Sequence, residues 1–200
     1  ILAHHWCTAV ELQPSGSVDP EDRRAAMHWS TQAAERNLSL DIAAATSHLE
    51  QALALREVGD PGEVELLSIS GRIAFQDGRT QDAARDMELA IAGYRAAGDV
   101  HGAVRTMMAL AFVYQHLGDG RAFGLADEAV RMLSGLPASP ELLEALAMQS
   151  GARTLAGGDP RAGVESAERA FEVADELGIE RPPVALGFRG LSRFYLGDLG

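Results

Sequence analysis

A period of about 40 residues runs through this chain and leaves few folds open to it. Gly78, Gly118, Gly158 and Gly197 follow one another at spacings of 40, 40 and 39 residues. Seven residues before each stands a small residue: Gly71, Ala111, Gly151 and Gly190. After the first three glycines a second register repeats at Ala90, Ala129 and Ala170, each followed by a large side chain, Ile91, Val130 or Phe171. An earlier copy of that register places Ala52 before Leu53. Self-similarity at one fixed period is the mark of supersecondary units that stack on their neighbours because none can bury its apolar face alone.

Helix geometry gives the registers a meaning. A small residue on a first helix lets a second helix cross close by, and a turn glycine reaches the left-handed conformation that ends a helix. Alanines three and four residues apart on the second helix form a face that receives the first. Asp19-Pro20, Asp60-Pro61, Ser139-Pro140 and Asp159-Pro160 each put an acceptor oxygen before a proline, the pattern of a capped helix start. These signals predict helices near 1–12, 20–37, 41–57, 62–76, 80–97, 100–117, 120–134, 140–156, 160–177 and 184–196. No window shows sustained strand-like alternation.

Composition narrows the function classes. Apolar residues make up 46% of the 200, enough for a core, while aromatics are only 6% and alanine is abundant, which suits closely packed helices. The 29 acidic residues outnumber the 17 basic ones for a net charge of −12, so direct binding to nucleic acid or to anionic membrane surfaces is not expected. Every basic residue is arginine, which excludes a P-loop lysine or a Schiff-base lysine within this segment. Cys7 is the single cysteine, so no internal disulfide or cysteine-based zinc site forms. The longest apolar run, Met107 to Tyr114, is far short of a membrane span, and no signal-peptide pattern opens the chain. The expectation is a soluble, cytoplasmic protein.

The order small residue, turn glycine, alanine, bulky residue, alanine resembles the tetratricopeptide pattern. In one copy Met107, Leu110-Ala111, Tyr114 and Gly118 fill the first-helix slots. In another, Leu67, Ser70-Gly71, Ala74, Gly78, Ala83, Met87 and Ala90 follow the spacing without gaps. The period is nearer 40 than the family's usual length of about 34, the aromatic slots are mostly alanine or threonine, and the terminal proline is missing. The resemblance implies an all-α, tetratricopeptide-like solenoid of helical hairpins wound into a right-handed superhelix. Longer repeats of this sort are similar to the repeat regions of large bacterial, actinobacterial-like signalling regulators. Those carry a nucleotide-binding ATPase module before the repeats, with a cyclase domain in front or a DNA-binding helix–turn–helix behind. Leu186-Gly187-Phe188-Arg189-Gly190-Leu191 and Tyr195-Leu196-Gly197-Asp198 resemble segments of the cyclase-linked group, and Leu2-Ala3-His4-His5-Trp6 resembles the helix that follows the ATPase module.

The expected organisation is a junction helix and linker at 1–19 and repeats at 20–58, 61–98, 100–135, 140–178 and 183–200. The last is incomplete, because the helix that should pack on Phe194 and Tyr195 is missing before Gly200. On that reading the chain is an internal piece of a longer protein.

Most chemical-looking motifs have a plainer explanation. Adjacent His4 and His5 point about 100° apart on a helix and chelate poorly; His28, His48, His101 and His116 are scattered, and no metal-ligand spacing occurs. Gly118-Asp119-Gly120-Arg121-Ala122-Phe123-Gly124 looks like a phosphate loop but coincides with the repeat turn. Acidic pairs such as Glu63/Glu65 and Asp175/Glu176 read as solvated faces, and Met107, Met108, Met132 and Met148 as core filler. No catalytic residue, metal site or cofactor is expected. Counting from the repeat template, the positions turned toward a concave groove are Arg72, Phe75, Arg105, Met108, Phe112, Gln115, Met148 and Leu155. Arginine beside aromatic or methionine surface suits a protein or peptide partner. The implied function is a regulatory interaction scaffold that holds such a partner, or the chain's own ATPase module. The alternative is a part of an adenylate or guanylate cyclase, or of a DNA-binding transcriptional activator, whose active domains lie outside this segment.

Overall fold

The computed structural model describes residues 2–13, 18–57 and 59–198. Ile1, Val58 and Gly200, at which expected elements begin or end, lie outside the described residues. Ten α-helices and no strand occur among the described residues: α1 (Leu2–Glu11), α2 (Pro20–Asn37), α3 (Ile42–Leu55), α4 (Glu63–Gln76), α5 (Thr80–Ala97), α6 (Val100–Leu117), α7 (Arg121–Leu133), α8 (Pro140–Leu155), α9 (Pro160–Leu177) and α10 (Pro183–Leu196). They fall within a residue or two of the spans that periodicity and capping predict. The chain divides into two compact units, 1–97 with α1 to α5 and 98–200 with α6 to α10.

Three of the four acid- or serine-proline pairs cap their helices as expected. Asp19 accepts from the Glu21 N–H at 2.7 Å, Ser139 from the Leu142 N–H at 3.2 Å and Asp159 from the Ala162 N–H at 3.0 Å. Asp41 and Asp99 cap α3 and α6 in the same manner without a proline to announce them. Asp60 does not cap. Gly62 is the N-cap of α4 and offers no side chain, while the Asp60 carboxylate takes both guanidinium nitrogens of Arg23 at 2.7 and 2.9 Å. Arg23 reaches it from α2, also donating to the Leu55 carbonyl, and it is only 12% exposed against 7% for Asp60. A guanidinium taken that far out of water demands a carboxylate, and that need outweighs one capping bond.

In the first unit α1 packs on α2, and the hairpins α2/α3 and α4/α5 stack so that α2 also meets α4. Met27, Ala34, Leu38, Ala45, Leu49, Leu66, Ile69 and Ile73 form its core. In the second unit hairpins α6/α7 and α8/α9 stack, with α10 against both α8 and α9. Val104, Met107, Met108, Leu110, Val113, Leu133, Leu146 and Phe171 are buried there almost completely. Each such side chain contributes about 1.5–3 kcal/mol by leaving water. The alanine register is buried throughout, with Ala52, Ala90, Ala129 and Ala170 all at 0% exposure. The bulky residue that follows it is buried at Ile91, Val130 and Phe171, whereas Leu53 is exposed.

The four turn glycines adopt the left-handed conformation, Gly118 with φ of 67°, where any side chain would be strained. The small first-helix residues have two uses. A Cβ on Gly71 would stand 2.6 Å from Met87 Cγ and 3.0 Å from the Ala83 carbonyl oxygen, so this glycine admits α5 as predicted. At Gly151 the intruder would be the Phe188 ring, 2.5 Å away, so the glycine makes room for α10, the next first helix, instead of for its own partner.

Candidate protein-binding surfaces

The eight residues expected to face a groove divide into three groups. Met148, 8% exposed, and Met108 are corrections to the groove count that agree with the core-filler reading; Met108 is 1% exposed and lies in the core. It sits three residues before the small residue Ala111, and the matching positions Ser68 and Met148 are also buried, at 9% and 8%. That slot faces neighbouring helices, and the template counted it one face too far toward solvent. Arg72 and Arg105 are committed to ion pairs. The Arg72 guanidinium, on α4, donates to Glu35 on α2 at 3.1 Å. Arg105, on α6, donates to Glu141 on α8 at 3.0 Å, and His101 lies 3.2 Å from the other oxygen of the same carboxylate. Burial alone would raise the Glu141 carboxyl, but hydrogen bonds from its own backbone N–H, Arg105, His101 and Ser139 outweigh it and hold the group below its ordinary value. Phe75 is half-buried, while Phe112, Gln115 and Leu155 are exposed, Phe112 to 42%.

Phe112 and Met148 come together. They line a cleft of about 190 Å³ with Pro140, Leu143, Glu144 and Ala147 of α8 and Pro182 and Val184 at the start of α10. All of its walls come from first helices of the second unit or from the residue that opens one. Val184 is 51% exposed and Phe112 nearly as open, so two large apolar side chains flank an apolar floor. Pro140 and the Pro182-Pro183 pair were legible as helix starts. That two such starts lie beside the same stretch of α6 was not, since it depends on how first helices stack. Gln115 and Leu155 are not part of this cleft, and Arg72 and Phe75 belong to the first unit.

The other motifs settle simply. The turn at Gly118 is closed by its own acid: the Asp119 carboxylate accepts from the Arg121 N–H at 2.9 Å and pairs with that guanidinium at 2.8 Å. Glu65 is no solvated-face residue, since it accepts from Gln32 at 2.9 Å and ties α4 to α2; Asp175 pairs with Arg181 at 2.8 Å. His4 and His5 are exposed, and no group of three potential metal ligands occurs among the described residues. No described helix is long and apolar enough to cross a membrane.

No protein-family model and no curated protein matches the chain. Solved structures do. The chain is similar to BtubC (BKLC) from P. vanneervenii, with 18% identity and a TM-score of 0.75 over 98% of this chain and 82% of that one. It is also similar to a kinesin light chain-like protein of Podosopora anserina with nearly identical TPR-like repeats, at 18% identity and a TM-score of 0.66 over 86% of this chain and 88% of that one. The fold is tetratricopeptide-like. Within a tetratricopeptide-like stack the cleft at Phe112 is a feature of the first helices, the helices whose small residues let them approach one another.

Proposed function

We propose that this chain is a protein-interaction scaffold whose second unit takes an apolar side chain of a peptide or protein partner into the cleft between Phe112, Met148 and Val184. The observation that carries the reading is the exposure of Phe112 beside that cleft. An aromatic ring left 42% exposed beside an apolar floor has the form of an interface anchor site. Arg105 and Glu141, along the same first helices, supply a polar rim. No catalytic residue, metal or cofactor has a place in this reading, and the setting is a soluble one in the cytoplasm.

The finer reading is the repeat region of an ATPase-containing signalling regulator, supported by the resemblance of Leu186–Leu191, Tyr195–Asp198 and Leu2–Trp6 to that group. The partner in the cleft is then another protein or the chain's own ATPase module, and a cyclase domain or a DNA-binding helix–turn–helix would be the output. The flanking sequence in the native transcript tests this, and flanks with neither a P-loop nor an output domain would refute it.

For the cleft, a displayed random-peptide library selected on the chain is the direct experiment. Recovered peptides should share a large apolar residue and should lose roughly tenfold or more in affinity to Phe112→Ala, with helicity unchanged. Peptides bound equally well by Phe112→Ala would overturn the assignment.

A further inference from the structure

The other side of α8 carries a groove of opposite character. Arg153 follows Glu144 of the apolar cleft by nine positions, about 180° around the helix. Together with Gln149 it forms the floor between α7 and α9, with Asp127, Val130, Arg131 and Ser134 on one wall and Arg169 on the other, around a volume of about 450 Å³. Three arginines face one carboxylate, an excess of two positive charges, on a chain whose acidic residues outnumber its basic ones by 29 to 17. A local excess against the overall sign is not an average property of this surface. At physiological salt, charges act over roughly 8 Å, so the lining arginines act there together with the acids one turn away on the same helices, Glu128 before Arg131 and Glu165 and Glu172 around Arg169.

The carboxylate is already committed. Asp127 accepts from the Gln149 amide at 2.6 Å and lies 3.5 Å from Arg153. Gln149 is itself 2% exposed and held from behind by the Ser166 hydroxyl at 3.0 Å, so Asp127 is anchored to a rigid floor. Arg131 reaches only the Asp127 backbone carbonyl, at 3.4 Å. Neither Arg131 nor Arg169 makes an ion pair among the described residues. Unlike Arg72, Arg105 or Arg181, each of which has a carboxylate partner, these two guanidiniums face a groove with none left for them.

We propose that this groove binds a phosphate monoester, held by Arg131, Arg153 and Arg169. The charge favours phosphate over carboxylate. A monoester carries about −1.5 to −2 at neutral pH and three terminal oxygens, which matches the excess of two and gives each guanidinium an oxygen. A carboxylate has one charge and two oxygens and leaves one arginine unmatched. Guanidinium forks suit the oxygens of phosphate in paired hydrogen bonds. The ester's source is a phosphorylated side chain of a partner protein or a free phosphorylated small molecule, and the chemistry at the arginines is the same for both.

The test uses the full chain, labelled with ¹⁵N, at constant ionic strength. It is titrated with inorganic phosphate, with a blocked Ala-phosphoserine-Ala peptide and with the same peptide unphosphorylated. Saturable shifts of the Nε–H signals of Arg131, Arg153 and Arg169 are expected with both phosphates and not with the bare peptide. A phosphopeptide bound about tenfold or more tightly than phosphate would make a phosphoprotein the source; equal affinities would favour a free small molecule. Arg131→Gln with Arg169→Gln, both at exposed positions, should weaken binding about tenfold or more. Asp127→Asn keeps an acceptor for Gln149 but removes the one opposing charge, so it should tighten binding several-fold, a change no unfolding can imitate. Absent shifts at the three arginines, or an affinity indifferent to the double variant, would overturn the proposal.

Discussion

Arg72 and Phe112 occupy the same place in their repeats, one residue after the small residue of a first helix and 40 positions apart, yet they do opposite things. In the first unit Arg72 reaches across from α4 to Glu35, and Gln32, one turn earlier on α2, reaches Glu65, so two polar pairs tie α2 to α4. In the second unit the equivalent ring stays exposed over an apolar cleft, and the ties run elsewhere. Arg105 and His101 hold Glu141 between α6 and α8; Phe188 fills the space over Gly151, and the hydroxyls of Thr154 and Ser192 lie 2.6 Å apart between α8 and α10. A repeat therefore conserves the direction in which a position points while leaving open whether it closes a surface or offers one.

The units also differ in where their costly polar groups lie. The first sets its least exposed ion pair at one loop, where Arg23 meets Asp60, Glu57 and the Leu55 carbonyl, beside buried hydroxyls at Ser30 and Thr31 of α2 and Ser68 of α4. The second spreads such groups through hydroxyls along α8, with Ser150 donating to the Gly163 carbonyl at 2.7 Å and Thr154 to its own helix. Trp6 and Trp29, the two tryptophans, both lie in the first unit. Tryptophan fluorescence therefore follows that unit, while circular dichroism follows both, and the contrast becomes measurable.

The largest effect is expected from Arg23→Met. It strands the buried Asp60 carboxylate and should destabilise the fluorescence-monitored transition in urea by about 3–5 kcal/mol. A loss under about 1 kcal/mol would mean that the loop is not the anchor of the first unit. Acid should act on the same pair. The hydrogen bond from Arg23 holds the Asp60 carboxyl down at about 2 from 3.8, against the opposing pull of burial. A carboxyl depressed on folding contributes stability above its unfolded value, and that stability is lost as pH falls from about 4 toward 2. The first unit should lose about 2 kcal/mol across that window, and Asp60→Asn should remove most of the dependence. A flat fluorescence-monitored stability between those pH values would refute the pairing.

Thr154→Val sharpens the comparison from the other side. It removes one hydroxyl from between α8 and α10 with little change of shape. The dichroism-monitored stability should drop by about 1 kcal/mol, with the tryptophan signal unmoved. The smallest effect belongs to the surface ties. Arg72→Ala and Arg105→Ala should each cost about 1 kcal/mol or less, because Arg72, Glu35 and Arg105 are well solvated and Glu141, though only 13% exposed, keeps His101 as a partner. A larger loss for Arg72 than for Arg105 would show that the polar closure of the first unit is cooperative.

How much of this was readable in advance varies with the range of the interaction involved. Asp19, Ser139 and Asp159 were legible as caps because a cap is a contact between residues two or three apart. Asp60 looked identical and was not, because its partner stands 37 residues away on α2. Met108 and Met148 read both as core filler and, by the repeat count, as groove positions; burial decided for the core, since the period specifies that a residue recurs but not which neighbour it meets. The arginine groove carried no sequence signal: Arg131, Arg153 and Arg169 have no regular spacing and converge only because α7, α8 and α9 pack side by side.

The sequence by itself determined the number, span and pairing of the helices, along with the positions where alanine and glycine permit close crossings, because helical period, capping and left-handed turns are local properties of the chain. Tertiary structure alone decided which of those repeated faces became bridged, apolar or basic. Burial, charge pairing and cleft formation depend on residues tens of positions apart, whose meeting is set by the stacking of one hairpin on the next.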